Sequence, residues 1–498
     1  MPQPEINDRV GSAATNHSSP PSQEANGWYG AIAQPSNEFA CQALPIIAGQ
    51  IPTGLRGSFY RNGPGRIGRG GIPVGHWFDG DGAILAVHFD RGGAQGTYRY
   101  VQTEGYLAEQ QVGKLLFANY GMVAPIPWWQ RFLNTDLKNC ANTSVLALPD
   151  RLLALWEGGS PYALDLKTLA TIGADDLDAT LPNIPYSAHP KQDPVTGEIF
   201  NFGITYRGTT ALNIFKSDRH GKIIQRKAIP LRGICPVHDF VLAGKYLLFC
   251  IPPVRLDVLP VLLKTKSYSE SLRWQPQQGT QILVVDRNNL EIVSRSQVDA
   301  WYQWHFGNGY TDRDGNIMFD LVRYDDLATN QYLQEVITGN PQTKAVGELW
   351  QGRLQPETGK MLTMQRVSDR ICEFPRINPH QVGQPHRHVY LAIHRRGVNT
   401  VKETFGAIGS FDYASATMHE ADFGAGKYVS EPVYAPDVHN PEQGWLLITV
   451  YDATAHQSEV WVMDAQHLDN AEPVCRLALP EVVPLAFHST WKPEQPEQ

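Results

Sequence analysis

The sequence predicts an all-β fold, a seven-bladed β-propeller with a cap of loops and short helices over one face. Three observations carry this. Two kinds of hairpin alternate six times between residue 143 and about residue 480. Helical periodicity is weak outside 111–138 and 257–274. One polar residue, His or Glu, recurs near the start of the inner hairpin of successive repeats.

The first kind of hairpin ends in a strongly apolar strand after a turn. RLLALWEGG (151–159), GEIFNFGITY (197–206), GKYLLFCI (244–251), GNIMFDLVRY (315–324), HVYLAIH (388–394) and GWLLITVYD (444–452) form this series. The second kind is an apolar strand, a polar turn and a further strand. It runs from YALDLKTLATIG (162–173) through NIFKSDRHGKIIQRKAI (213–229), ILVVDRNNLEIVSRSQV (282–298), LWQGRLQPETGKMLTMQRV (349–367) and IGSFDYASATMHEADF (408–423) to VWVMDAQHLDNAEPVCRLAL (460–479). Short β-rich runs bounded by Gly, Asp and Asn turns are hairpins. Two hairpins make a four-stranded sheet, and such sheets repeated around an axis form a propeller that leaves few exposed edges. The seventh sheet assembles from GSFYRNGPG through GTYRYVQTEGY together with the last strand near Phe487. Residues 27–498 therefore read as one domain, with residues 1–26 as a disordered tail and 111–138 and 257–274 as cap insertions.

Composition narrows the function. Charged residues are 18% and hydrophobic residues 42% of 498, a globular balance. Lys+Arg 42 against Asp+Glu 50 gives a net charge of -8, which opposes a nucleic-acid partner. The six cysteines Cys41, Cys140, Cys235, Cys250, Cys372 and Cys475 form no CxxC pair and read as reduced thiols of a cytoplasmic protein. The N-terminus has no apolar stretch of a secretory signal, and no run of 18 apolar residues spans a membrane.

The recurring polar residues are His189, His238, His305, Glu373, Glu431 and His488, one per sheet. Inner strands of a propeller converge on its axis, so four imidazoles from four sheets are expected to meet there. Buried polar groups are costly unless satisfied, and a divalent cation satisfies inward-facing imidazole nitrogens together. Iron, copper, nickel and zinc all suit imidazole. Glu157, at the end of LLALWE, joins Glu373 and Glu431 as buried carboxylates able to accept from the imidazoles' other nitrogens.

Other patterns carry less. Gly63, Gly65 and Gly68 make a lone GxGxxG with no helix after it. Asp79-Gly-Asp81-Gly reads as a tight turn rather than a calcium loop. His386 and His388 lie on one face of a strand and are expected at the surface.

With these residues in hand, the sequence resembles the carotenoid cleavage oxygenases, and most of all the bacterial apocarotenoid 15,15'-oxygenases. The resemblance runs from about residue 40 to 491. It rests on YRNGPG (60–65), FDGDG (78–82), LKNCANTS (137–144), LLALWEGG (152–159), SAHP (187–190), VHDF (237–240), CEFPRINP (372–379), SEPVYAP (430–436) and FHSTW (487–491). It implies a seven-bladed propeller with Fe(2+) on the axis, held by His189, His238, His305 and His488. It also implies that Glu157, Glu373 and Glu431 accept from His238, His305 and His488 respectively, and that His189 has no such partner. Thr143 matches a residue beside a vacant iron position, and Trp156 and Trp304 match aromatic positions near a substrate tunnel. Trp304 stands where the family usually has Phe, and Pro236 replaces an aromatic two residues before the second ligand; these departures leave the metal ligands intact and bear on the substrate's register.

The implied activity is that of an iron(II) dioxygenase cleaving a conjugated C=C bond of an apocarotenoid, at 15,15' to give retinal-type aldehydes. O₂ and an apolar polyene are the partners, and no protein acid, base or nucleophile is expected. A stilbene-cleaving dioxygenase and a non-catalytic propeller scaffold are the alternatives. The apolar segments 115–133 and 256–274, with aromatic and basic flanks, suit peripheral insertion into a membrane surface near a tunnel mouth. A monomer is expected.

Overall fold

A computed structural model describes residues 27–133, 137–178, 185–206, 209–470 and 472–494, so the expected tail at 1–26 lies outside the described residues. Strands that must bury both faces are apolar throughout. Leu152–Leu155 and Tyr246–Ile251 are buried at every position. Outer strands such as Ile223–Pro230 alternate between exposed and covered positions, as a strand with one solvated face should.

The sheets follow the hairpin order. The first contains Ser144–Ala147, Leu152–Leu155, Tyr162–Leu164 and Thr171–Ala174. The second runs from Lys191–Gln192 to Ile223–Pro230, and the third from Val241–Ala243 to Ile292–Val298. The fourth starts with Tyr302–Thr311, and its outer strand, Lys360–Arg376, continues as the inner strand of the fifth. His388–Ile393, Ala407–Asp412 and Thr417–Asp422 complete the fifth. The sixth is built on Gly444–Asp452 and Gln457–Asp464. In the seventh, Ser489–Pro493 pairs with Gly57–Arg66 and closes the circle between the two ends of the chain. Gly63 lies in that strand, where a Cβ would come within 2.6 Å of the Ala486 Cα; this close approach accounts for one glycine of the GxGxxG pattern.

Four features depart from the sequence reading. The sixth and seventh sheets are not limited to four strands. Ile46–Gly49 adds to Cys475–Ala478 and Phe39–Ala43 adds to Gly93–Tyr100, both as edge strands with little burial to signal them. The segment 111–138 is mostly irregular. A helix precedes it at Glu104–Val112 and stops at Gly113, whose φ is +70°, and within the segment Pro125 and Pro127 remove backbone donors. Part of 257–274 is helical, at Val258–Leu262, but the segment ends in the strand Leu272–Trp274. A cap helix that periodicity missed, Ala328–Glu335, starts after Asp326, whose carboxylate accepts from Ala328 N–H.

Buried charges anchor the cap to the propeller. Asp81 pairs with Arg69 (2.9 Å) and with Lys138, whose ammonium also meets Glu109 at 2.6 Å. Asp79 accepts from Gly121 N–H at 3.0 Å. The Asp79-Gly-Asp81 run is thus an anchor for 111–138 as well as a turn.

Candidate metal centre

Each of the seven sheets contributes one polar residue to the centre, four histidines and three glutamates that back them: Glu157, His189, His238, His305, Glu373, Glu431 and His488, in sheet order. The inner strands deliver them. His189 and His238 lie just ahead of Lys191–Gln192 and Val241–Ala243, His305 lies within Tyr302–Thr311, and His488 immediately precedes Ser489–Pro493.

One nitrogen from each of His189, His238, His305 and His488 lies within 4.8 Å of the others. The His189 and His238 Nε2 atoms are 3.0 Å apart, and those of His238 and His305 are 3.3 Å apart. The Nδ1 atoms point outward to carboxylates: His305 to Glu373 at 2.6 Å, His488 to Glu431 at 3.0 Å, and His238 to Glu157. Among the described residues no carboxylate pairs with His189. A ring that donates Nδ1–H to a carboxylate presents Nε2 as a lone pair. Converging lone pairs cannot satisfy one another, so this donor set fits a divalent metal.

Burial favours the neutral ring at two of the four histidines, and neighbouring positive or titratable groups keep two supporting carboxylates anionic. Burial drives the His189 imidazole well below its usual range, and the neighbouring histidines add to this. Burial also lowers His488, to about 4, against the pull of Glu431. Burial alone would raise Glu373 and Glu431. His305 holds the first down, and Arg376 and His488 hold the second down. For His305, burial lowers the ring, but the Glu373 carboxylate outweighs it and the net direction is up.

Glu157 differs from the expected buried carboxylate. Its side chain is 38% exposed, because it stands at a strand end and faces an open cavity. That cavity, of about 620 Å³, reaches His238, His305 and His488 and is also lined by Thr143, Trp156 and Trp304. The Trp304 ring stands 4.8 Å from that of His238, and its N–H donates to Thr329 Oγ1 at 3.0 Å.

The expected surface position of His386 is overturned. It lies before the strand His388–Ile393 with its side chain 1% exposed and Nε2 3.4 Å from the buried Asp320. Asn308, itself held by the carbonyls of Gln381 and Gln384, meets its Nδ1 at 3.1 Å.

Some supporting residues escaped sequence reasoning. Tyr324 O–H donates to Glu373 Oε1 at 2.9 Å. Below the histidines, Lys191 meets Asp239 at 2.8 Å, and Asp239 accepts from Phe306 N–H at 2.9 Å, tying the second, third and fourth sheets together. VHDF and SAHPK place Asp239 and Lys191 close to ligands in sequence, and that proximity was the available signal.

Comparison with known proteins fits this geometry. The family described as retinal pigment epithelial membrane protein matches residues 32–493. The chain belongs to the carotenoid cleavage oxygenase family. Its relatives include the apocarotenoid-15,15'-oxygenase of Synechocystis sp., 34% identical over 89% of this chain and 92% of that protein. Resveratrol cleavage oxygenase 1 of Aspergillus fumigatus is 26% identical over 89% of this chain and 91% of that protein. The crystal structure of cobalt-substituted Synechocystis ACO superposes with a TM-score of 0.85 at 31% identity, covering 94% of this chain and 98% of that one. The seven-bladed propeller is therefore the family fold, and the chain is an oxygenase.

Proposed function

We propose that the protein is a non-haem iron(II) dioxygenase that cleaves a conjugated C=C bond of an apocarotenoid, at the 15,15' position, to give retinal-type aldehydes. The observation that carries this reading is the convergence of four imidazoles, three of which line an apolar cavity. Ferrous iron held by His189, His238, His305 and His488 would supply O₂ activation, chemistry that side chains alone do not provide.

The chain's own residues do the rest. Glu157, Glu373 and Glu431 fix the tautomers and orientations of three ligands. Trp304, Trp156 and other aromatics shape a cavity that holds a rigid polyene in one register, so that one double bond is presented. Thr143 lines the same cavity, and its hydroxyl is turned to Asn142 Oδ1 at 3.1 Å.

Access from a lipid surface follows from the cap. Trp128, Leu133, Leu259 and Leu262 are exposed apolar residues of the two insertions, and Arg131 joins the insertions by donating to the Lys264 carbonyl at 3.3 Å. Leu262, Lys264 and Lys266 also line the cavity, so this face reads as a mouth that docks peripherally on a membrane. No helix among the described residues is long and apolar enough to cross one. Every cysteine is free and five are buried, which supports a reducing compartment.

The resveratrol-cleaving relative favours one second reading, a hydroxystilbene substrate. Protein reconstituted anaerobically with ferrous salt is offered a β-apocarotenal and a hydroxystilbene under ¹⁸O₂. The proposal expects bleaching of the apocarotenal with label in both carbonyl products. Bleaching of the stilbene alone selects the second reading, and label in only one product under rapid quench refutes the dioxygenase.

A further inference from the structure

Away from the histidines the cavity wall carries a polar group that the metal centre does not use. His394 immediately follows the second strand of the fifth sheet, His388–Ile393, and lines the cavity. A path of rings connects it to the centre. His305 and His488 each lie 5.5 Å from the ring of Phe374, which lies 6.2 Å from Phe405, and Phe405 lies 4.7 Å from His394.

The His394 residue is 6% exposed, and its Nδ1 has no hydrogen-bond partner among the described residues. Burial pushes the ring down to about 4, and the Arg370 guanidinium, which donates to the His394 carbonyl at 2.6 Å, adds to this. The ring is therefore neutral near pH 7 and offers one N–H and one lone pair. Thr400 and Thr404, the second adjoining Phe405 in the chain, add hydroxyl-bearing side chains to the cavity lining.

A hydrocarbon group here would leave the imidazole unsatisfied, and a buried polar group without a partner is unfavourable. A hydroxyl both donates and accepts, and so matches a neutral imidazole. Sites built to bind a substrate hydroxyl discriminate against the analogue lacking it. We propose that the His394 end of the cavity is a hydroxyl-binding subsite that holds an oxygenated end of the substrate. This rests on the reading above that the alkene lies in this cavity.

Two sources of such a hydroxyl are separable by experiment. Binding is followed anaerobically by quenching of tryptophan fluorescence for two matched pairs: a ring-hydroxylated β-apocarotenal with its unhydroxylated counterpart, and hydroxystilbene with stilbene. In the native protein the hydroxylated member of one pair should bind roughly tenfold tighter, the scale of one hydrogen bond at a buried site. The pair showing the gap identifies the source. His394→Phe should erase the gap by weakening only the hydroxylated member, and His394→Gln, which keeps a donor and an acceptor, should restore part of it. Absence of a gap in the native protein, including absence of measurable binding, overturns the subsite. So does a gap that survives in His394→Phe. Turnover of the same compounds is read separately, so a gap without cleavage contradicts the proposed activity and leaves the subsite standing.

Discussion

Replacing Glu373 probes the link between a carboxylate and the metal that its histidine would hold. Glu373 Oε2 accepts from His305 Nδ1 at 2.6 Å and from Phe374 N–H at 2.7 Å, while Oε1 accepts from Tyr324 O–H at 2.9 Å. In Glu373→Gln the amide oxygen takes the Oε2 position and serves both N–H donors. The amide nitrogen then faces Tyr324, whose hydroxyl turns to accept. All partners survive, and only the charge is lost. A hydrogen bond to a charged group is worth about 1.5–3 kcal/mol and a neutral one about 1 kcal/mol. The His305 contact therefore weakens by about 0.5–2 kcal/mol, or roughly two- to thirtyfold in metal affinity. Glu373→Ala strands three donors and should cost about a hundredfold, the upper range for groups that support a ligand. Anaerobic competition for ferrous ion against a chromogenic chelator measures both, with the exposed Glu357→Gln as control. Native affinity in both Glu373 variants would show that the carboxylate does not act through His305.

Further outcomes follow from other contacts. Thr329→Val leaves the Trp304 N–H buried without its acceptor. It should lower stability by about 1–3 kcal/mol in chemical unfolding, and Trp304→Phe added to it should recover most of that loss; a further loss refutes the pairing. Trp304→Phe alone should alter the ratio of cleavage products, and an unchanged chromatogram removes Trp304 from register control. Trp128→Ser with Leu133→Ser, both at exposed positions, should weaken flotation with lipid vesicles at least tenfold, since each large apolar side chain contributes about 1.5–3 kcal/mol when buried. Burial raises the Asp79 carboxyl from 3.8 to about 7, against the pull of Gly121, His76 and Gly75 N–H groups and of Lys138. The folded value lies above the unfolded one, so this contribution to stability is complete below about pH 4 and is lost as pH rises through about 7, on the order of 4 kcal/mol at most. The melting midpoint of the native protein should fall between pH 5 and 8 more steeply than that of Asp79→Asn, and superimposable pH curves would refute the assignment.

The propeller was legible because the strands inside each sheet must be apolar on both faces. Runs such as YLLFCI recur with polar turns between them, and a histidine or glutamate before an inner strand marks the axis in each repeat. What stayed hidden depends on contacts without a local pattern. Tyr324 reads only as the end of a strand, and its acceptor Glu373 is 49 residues away in sequence. The edge strands Phe39–Ala43 and Ile46–Gly49 are mostly exposed and carry little periodic signal. The helix Ala328–Glu335 announces itself only through Asp326 before it and Gly339 after it. Glu157 has the sequence context of a buried residue, yet it opens onto a void that only the assembled sheets create.

The pairing of Ser489–Pro493 with Gly57–Arg61 sets an order of events during synthesis. His488 immediately precedes that strand, so it is synthesised after the residues of the other six sheets. A nascent chain can thus gather three imidazoles before the fourth exists, and the donor set is completed only when Ser489–Pro493 pairs with Gly57–Arg61. Quality control over the metal site is in this way inseparable from circularisation, and a chain ending before His488 would be deficient in both.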